Sequence, residues 1–371
     1  MLKDMKIGIL NTSMFRLGGD ISHAYEFAKC LNARIFTNIY NPELEAFYPE
    51  LENLAVPPKK NVREVKGFDQ FQHMVKMTAR RDLDCDFVIY MGDLPAYHQI
   101  THNIPYIYHC FTPPRAIFVG WERYLEGISD EGRFPKHFAK YKGSFRKVTD
   151  VTMVKGFLNP DQVTVNSEQV CRRFIKFYNR TPRAILYPPT NTKRYKWKPP
   201  EDFFLTVNRL ESFKRVDMQI RAFAKTDKRL VVVGDGPERE NLEALAKKVG
   251  GTIDILGKVP DEELLDLYSR CSAFVFSSSN EDFGLGPIEA FSSGKPTISI
   301  AEGGPLEYCT KDNSFLFKDE KELVSILERF DDADGLRMKK ACLKTAKRFD
   351  TETIIEELKG HIEDIYNHYY H

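Results

Sequence analysis

Two carboxylates, Glu281 and Glu289, and two cations, Arg209 and Lys214, are the residues of this chain best placed by type and spacing to do chemistry. The carboxylates stand eight apart, one in the polar run 277–286 and one just past Pro287. Between them Phe283, Gly284 and Leu285 offer backbone N–H groups at an expected helix N-terminus, where unsatisfied donors and the helix dipole favour phosphate. Glu289 then suits a neutral polar partner, since a carboxylate aimed at phosphate would repel it. Arg209 and Lys214 stand five apart after an apolar run, and such cations are the usual clamps on a diphosphate leaving group. Hydroxyls for the carboxylates and phosphates for the amides and cations together describe a ligand such as a nucleotide-sugar.

These residues need elements to hold them. Residues 273–276 are a short apolar run with β-formers, read as a buried strand. The following helix starts near Pro287, which fits the first turn, and stops at Gly294 and Pro296 before a strand at 297–300. The loop carrying Glu281 therefore lies at the carboxyl end of a parallel strand, where open α/β sheets bind ligands. A strand at 203–208 delivers Arg209, and one at 229–233 runs into Gly234-Asp235-Gly236-Pro237. As a dinucleotide fingerprint that turn fails, because its third glycine is Arg239. A strand at 253–256 leads to Gly257-Lys258, and a helix is expected at 262–271.

The first half alternates in the same way. A strand at 6–10, a turn at 11–19 and a helix from Asp20, its expected N-cap, open the chain. Gly18 and Gly19 in that turn would let the backbone approach a diphosphate closely, although glycine in a strand-to-helix turn also serves plain geometry. Strands follow at 33–37, 87–91, 104–108, 162–165 and 184–186, with helices at 68–78 and 168–178 and an irregular connection at 41–62. The strand at 104–108 ends at His109-Cys-Phe-Thr-Pro-Pro-Arg115, an imidazole beside a proline-fixed turn and a second candidate site. Residues 121–154 are rich in aromatic and basic residues, but acids break up the stripe, so solvated helices with aromatic cores are the plainer reading beside an acceptor or membrane surface. Residues 193–201 read as a linker. A length of 371 residues and the βα alternation predict two doubly wound α/β domains.

Composition narrows the class. Apolar content of 42% and charged content of 29% suit a globular enzyme, and a net charge of +1 gives no argument for nucleic acid. Seven scattered cysteines without a C-x-x-C pair point to a reducing compartment, with no disulfide framework or zinc site. The opening residues lack a signal-peptide pattern, and no apolar run approaches the roughly 20 residues of a membrane span, so a cytoplasmic protein is expected.

Glu281-Asp-Phe-Gly-Leu-Gly-Pro-Ile-Glu289-Ala, followed by Ser-Gly-Lys-Pro, resembles the E-x7-E signature of retaining family-4 glycosyltransferases. The resemblance covers nearly the whole chain and is most specific over 203–307. It implies the GT-B fold, two Rossmann-like domains facing an interdomain cleft. Residues 1–197 would form the acceptor domain, 198–348 the nucleotide-sugar donor domain, and a helix within 349–371 would cross back onto the first. By resemblance Arg209 and Lys214 contact the donor diphosphate, Glu281 the donor-sugar hydroxyls and Glu289 the ribose hydroxyls. Gly18 and Gly19, the Gly234–Gly236 turn and the 302–307 loop would line the donor, and Lys258 would stand by the nucleobase. The run His109 to Arg115 resembles the Tyr-Cys-His-Thr-Pro-x-Arg of a mannosyltransferase branch, with Phe111 in the usual His position and His109 two earlier. The implied reaction is retaining transfer of a hexose, mannose favoured, from a GDP- or UDP-linked donor to a glycan or lipid-linked acceptor. No metal or cofactor is implied, and peripheral contact with the inner face of a membrane stays open. A GT-B nucleotide-sugar epimerase or a phosphorylase is the alternative.

Overall fold

The computed structural model of the chain describes residues 2–14, 18–58, 81–92, 102–113 and 159–370. The expected helix at 68–78, the aromatic and basic stretch at 121–154, and Arg115 lie outside the described residues. The chain divides into two compact units, 1–189 with 354–371, and 190–353.

The first unit is built on a parallel sheet. Its strands are β1 (Ile7–Met14), β2 (Arg34–Tyr40), β3 (Ala55–Val56), β4 (Phe87–Met91), β5 (Tyr106–Cys110), β6 (Val163–Val165) and β7 (Ala184–Ile185). They lie in the order β3-β2-β1-β4-β5-β6-β7, the doubly wound arrangement with its reversal between β1 and β4. β4 and β5 are buried at every residue, as expected of parallel strands covered on both faces. Helix α1 (Gly19–Leu31) follows β1. The connection after β2 holds a short helix α2 (Leu51–Leu54) and the edge strand β3, so it is more ordered than its proline-punctuated, acidic sequence suggests. Helix α3 (Glu168–Tyr178) is capped by Ser167, whose Oγ accepts from the Val170 amide at 3.0 Å.

Two expectations need correction here. β1 continues through Asn11 to Met14, because it pairs with β2 as far as Met14 opposite Tyr40 and these backbone bonds outweigh the turn preference of Asn and Ser. The N-cap of α1 is Gly18, not Asp20, which sits in the first turn where its charge suits the helix dipole.

The second unit carries β8 (Phe204–Val207), β9 (Arg229–Val233), β10 (Thr252–Gly257), β11 (Ala273–Phe276), β12 (Thr297–Ile300) and β13 (Ser314–Phe317). Their order is β10-β9-β8-β11-β12-β13, all parallel, with the reversal between β8 and β11. Helices α4 (Val216–Phe223), α5 (Arg239–Val249), α6 (Asp261–Arg270), α7 (Leu285–Ser292), α8 (Glu320–Arg329) and α9 (Asp332–Lys347) connect and cover these strands. Apolar clusters lie on both faces, one around Phe204, Val232 and Ile298 and one around Leu205, Val231 and Phe274.

The division between units falls at Pro189/Thr190, ahead of the expected linker. Residues 190–201 are tied to the second unit by Thr190 N donating to Phe349 O (2.9 Å), Lys198 N to Ser269 O (2.9 Å) and Glu201 N to Arg270 O (2.7 Å). The last helix, α10 (Thr351–Tyr370), places Ile354, Ile355, Leu358, Ile362 and Ile365 in the core of the first unit, a helical stripe at spacings of three and four. Among the described residues no helix is long and apolar enough to cross a membrane.

Candidate functional site

The reversal of strand order between β8 and β11 separates the loops that leave their carboxyl ends, the place where doubly wound sheets form a ligand crevice. Arg209 and Lys214 are on the loop after β8, and Glu281 is on the loop after β11. Lys214 Nζ meets Glu281 Oε2 at 2.6 Å, and Ser278 Oγ donates to the same oxygen at 2.6 Å. The two ionic side chains are only 17% and 19% exposed, so this pair is screened less than a surface bridge. Backbone bonds clamp the loops together: Ser279 N donates to Phe213 O at 2.9 Å, and Ser277 Oγ donates to Lys214 O at 2.8 Å.

Arg209 is held differently. Its Nε and Nη2 form a fork onto Glu211, at 2.8 and 2.9 Å, and Glu211 is almost fully buried. Such a bidentate pair fixes the guanidinium plane while leaving the arginine half-exposed. Sequence reasoning missed Glu211. Its signal was a carboxylate two residues from a presumed phosphate clamp, where it would otherwise repel the ligand.

The glycines of the Gly234–Gly236 turn are explained by packing. A Cβ on Gly234, at φ +129°, would lie 1.8 Å from the Asn208 carbonyl oxygen, and one on Gly236 would lie 2.4 Å from that of Leu210. Leu210 N donates to Asp235 O, and Glu238 N to Leu210 O, each at 3.0 Å. The turn is therefore the floor that shapes the Arg209 loop. Gly234→Ala should cost the second unit about 3 kcal/mol or more, through strain plus backbone displacement. Thermal unfolding should show a fall of roughly 10 °C, and a midpoint within a degree or two of wild type would contradict this packing account.

The loop before α7 is fixed from the side. Tyr308 Oη donates to Phe283 O (2.7 Å) and Gly284 O (2.9 Å), and the Phe283 ring is buried against Tyr308 and Phe349. Gly284, at φ +88°, is the N-cap, so Leu285 opens the helix and Gly294 ends it at φ +67°. Gly304 N donates to Glu281 O at 2.9 Å, which lays the 302–307 loop directly on the Glu281 loop.

Glu289 lies on α7, and its Oε2 accepts from Tyr268 Oη at 2.6 Å. Burial pushes its carboxyl up, while the hydroxyls of Tyr268 and Tyr195 pull it back toward the charged form. Both tyrosines escaped the sequence reading, because no local spacing signals a pairing across 21 residues for Tyr268 and a longer stretch for Tyr195. Lys258 follows edge strand β10 and is exposed, and the Arg239 guanidinium lies against Gly257 just before it.

In the first unit, Gly18 and Gly19 open α1 at the reversal between β1 and β4. His109, expected at a strand end just past residue 108, is not beyond the strand. It is inside the strand, where it pairs with Met91 and Thr164 in the flanking strands, and it is fully buried. The expected strand stops short because an imidazole reads as polar, whereas here Thr164 Oγ1 meets Nδ1 at 2.9 Å and gives it a partner inside the sheet. His23 of α1 packs edge-on at 4.6 Å and Phe111 at 5.3 Å. Among the described residues Nε2 of both histidines is buried without a hydrogen-bond partner, and burial lowers His109 to about 3 and His23 well below its ordinary value. His109 is thus a packed imidazole of the first unit's sheet.

Residues 189–347 match the family model for Glycosyl transferases group 1. That match falls almost wholly on the second unit. The chain is 30% identical over 217 residues to the lipopolysaccharide core biosynthesis glycosyltransferase LpsD of Rhizobium meliloti, covering 57% of this chain and 60% of that protein. It is 29% identical over 164 residues to the GDP-mannose-dependent alpha-mannosyltransferase of Corynebacterium glutamicum, covering 43% and 39%. The matches thus span less than two thirds of either relative. Among solved structures, Anabaena HepE in complex with UDP and glucose aligns over 97% of this chain and all of its own, with a TM-score of 0.75 and 18% identity. That likeness establishes the fold, two parallel α/β units of the GT-B kind.

Proposed function

We propose that the protein is a retaining hexosyltransferase that moves a hexose, mannose favoured, from a GDP- or UDP-linked donor to a glycan or lipid-linked acceptor. The observation that carries this reading is the Lys214–Glu281 pair at the β8/β11 reversal, with Arg209 held on Glu211 in the same loop. Lys214 and Arg209 take the donor diphosphate, Glu281 takes hydroxyls of the donor sugar, and Glu289 takes the ribose hydroxyls. The amides at 283–285 and the α7 dipole add charge stabilisation at the phosphates. Gly234 and Gly236 keep the Arg209 loop in place, and Lys258 stands beside the base.

The bond between the sugar anomeric carbon and the phosphate oxygen breaks, and an acceptor oxygen bonds the same face of that carbon. The acceptor proton passes to the leaving diphosphate, whose growing charge is met by preset cations rather than by reorganising solvent. The match to a GDP-mannose-dependent relative favours mannose, and that to a lipopolysaccharide-core enzyme favours a glycan acceptor on a lipid. The test is a panel of UDP-, GDP- and ADP-sugars in which nucleotide release is followed without acceptor, with the anomeric form of the released sugar read by NMR. The expected result is slow release from one donor with retained configuration. Inverted product, or epimerised donor with no release, would overturn the proposal.

A further inference from the structure

Glu289 is held by a device of its own. Tyr268, on α6, is completely buried, and its ring stacks on Phe274 of β11, centroids 5.6 Å apart at 26°. Tyr195 meets the same ring edge-on at 5.8 Å and 83°. A phenol locked this way can aim its hydroxyl at one place, and that place is Glu289 Oε2, 2.6 Å away. Tyr195 supplies a second hydroxyl to the same carboxylate. An ionised carboxylate has about four acceptor positions, so two phenols leave others for a ligand.

We propose that Tyr268, assisted by Tyr195, positions Glu289, locking the carboxylate in the rotamer whose remaining lone pairs accept the vicinal ribose hydroxyls of the donor nucleotide. This rests on the donor assignment above and adds to it the groups that set ribose selectivity. Both phenols are raised well above their ordinary range, first by burial and then by the Glu289 charge, so they stay protonated donors at any working pH. The other charged groups facing Glu289 are Arg194 and Asp261, which are paired with each other and act on it in opposite directions. Removing the Tyr268 hydroxyl should therefore free the carboxylate to rotate and ease its protonation.

The experiment is a calorimetric titration of UDP and GDP, and of their 2′-deoxy and 3′-deoxy counterparts, into wild type, Tyr268→Phe, Tyr195→Phe and Glu289→Gln. Wild type should prefer the ribonucleotide by about tenfold. Tyr268→Phe should lose most of that preference while binding the deoxy forms as before, and the acid limb of its ribonucleotide binding should move to higher pH. Tyr195→Phe should show a smaller loss, and it carries the same test should Tyr268→Phe fail to fold. A Tyr268→Phe protein that keeps the wild-type preference and pH profile, while Glu289→Gln loses the preference, overturns the inference. Nucleotide binding abolished by Lys214→Ala but blind to the ribose hydroxyls also overturns it and leaves the donor reading standing. Absence of any nucleotide binding sinks both.

Discussion

Lys214→Ala and Glu281→Ala should each slow nucleotide release from the preferred donor by about a hundredfold or more, the usual scale for removing one preset stabiliser of transition-state charge. The two losses should differ in kind. Without Lys214, the leaving phosphate oxygen loses its cation, and Glu281, still bonded by the Ser278 hydroxyl, presents a less neutralised charge to the diphosphate. Affinity for UDP or GDP should fall together with turnover. Without Glu281, Lys214 is released from its 2.6 Å partner and can turn fully to phosphate, so nucleotide affinity should hold or rise while turnover collapses. Titration of the free nucleotide beside the release assay separates the two. Release rates in both variants within about threefold of wild type would remove the pair from the mechanism.

The second large effect is on stability. In the folded first unit His109 titrates at about 3 and His23 well below its ordinary value, whereas in the unfolded chain both titrate near 6.5. Between those limits the unfolded chain holds protons that the folded chain refuses. Stability is therefore complete above the unfolded value and drains away as pH falls below it. Each histidine contributes a slope of at most about 1.4 kcal/mol per pH unit, so the pair can withdraw roughly 2.7 kcal/mol per unit once the unfolded imidazoles are protonated. Amide exchange of β1, β4 and β5 reads the opening free energy of this unit directly. Wild type should lose protection steeply between about pH 6.5 and about pH 4.5. A His23→Phe/His109→Phe double variant, already weakened at neutral pH by stranding Thr164 Oγ1, should show a much flatter profile. Parallel profiles would show that the two imidazoles are not the source.

The central unit from β11 to β12 was readable residue by residue, because the apolar run Ala273–Phe276, Pro287, Gly294 and Pro296 act through local sterics alone. The positions of Arg209, Lys214 and Glu281 on strand-end loops were readable for a related reason, since each stands within a few residues of a strand end. What was not readable depends on neighbours across the sheet. Asn11 and Ser13 look like turn residues, yet they extend β1 because β2 supplies backbone partners. His109 looks like the residue just past a strand end, yet Thr164 in the next strand of the chain gives its ring a bond inside the sheet. The fork of Glu211 onto Arg209 and the hold of Tyr268 on Glu289 are side-chain pairings that carry no periodic signature in the chain. The sequence therefore located these charged residues but not what holds them.

The central claim is that a nucleoside diphosphate binds at the mouth between β8 and β11. Hydrogen exchange read by mass spectrometry, with and without saturating UDP or GDP, tests it most directly. The account predicts slowed exchange in two separate segments, 209–215 and 281–289, under the nucleotide that binds. Nucleotide binding that leaves both segments exchanging at their free rates, or protects only another part of the chain, would contradict it.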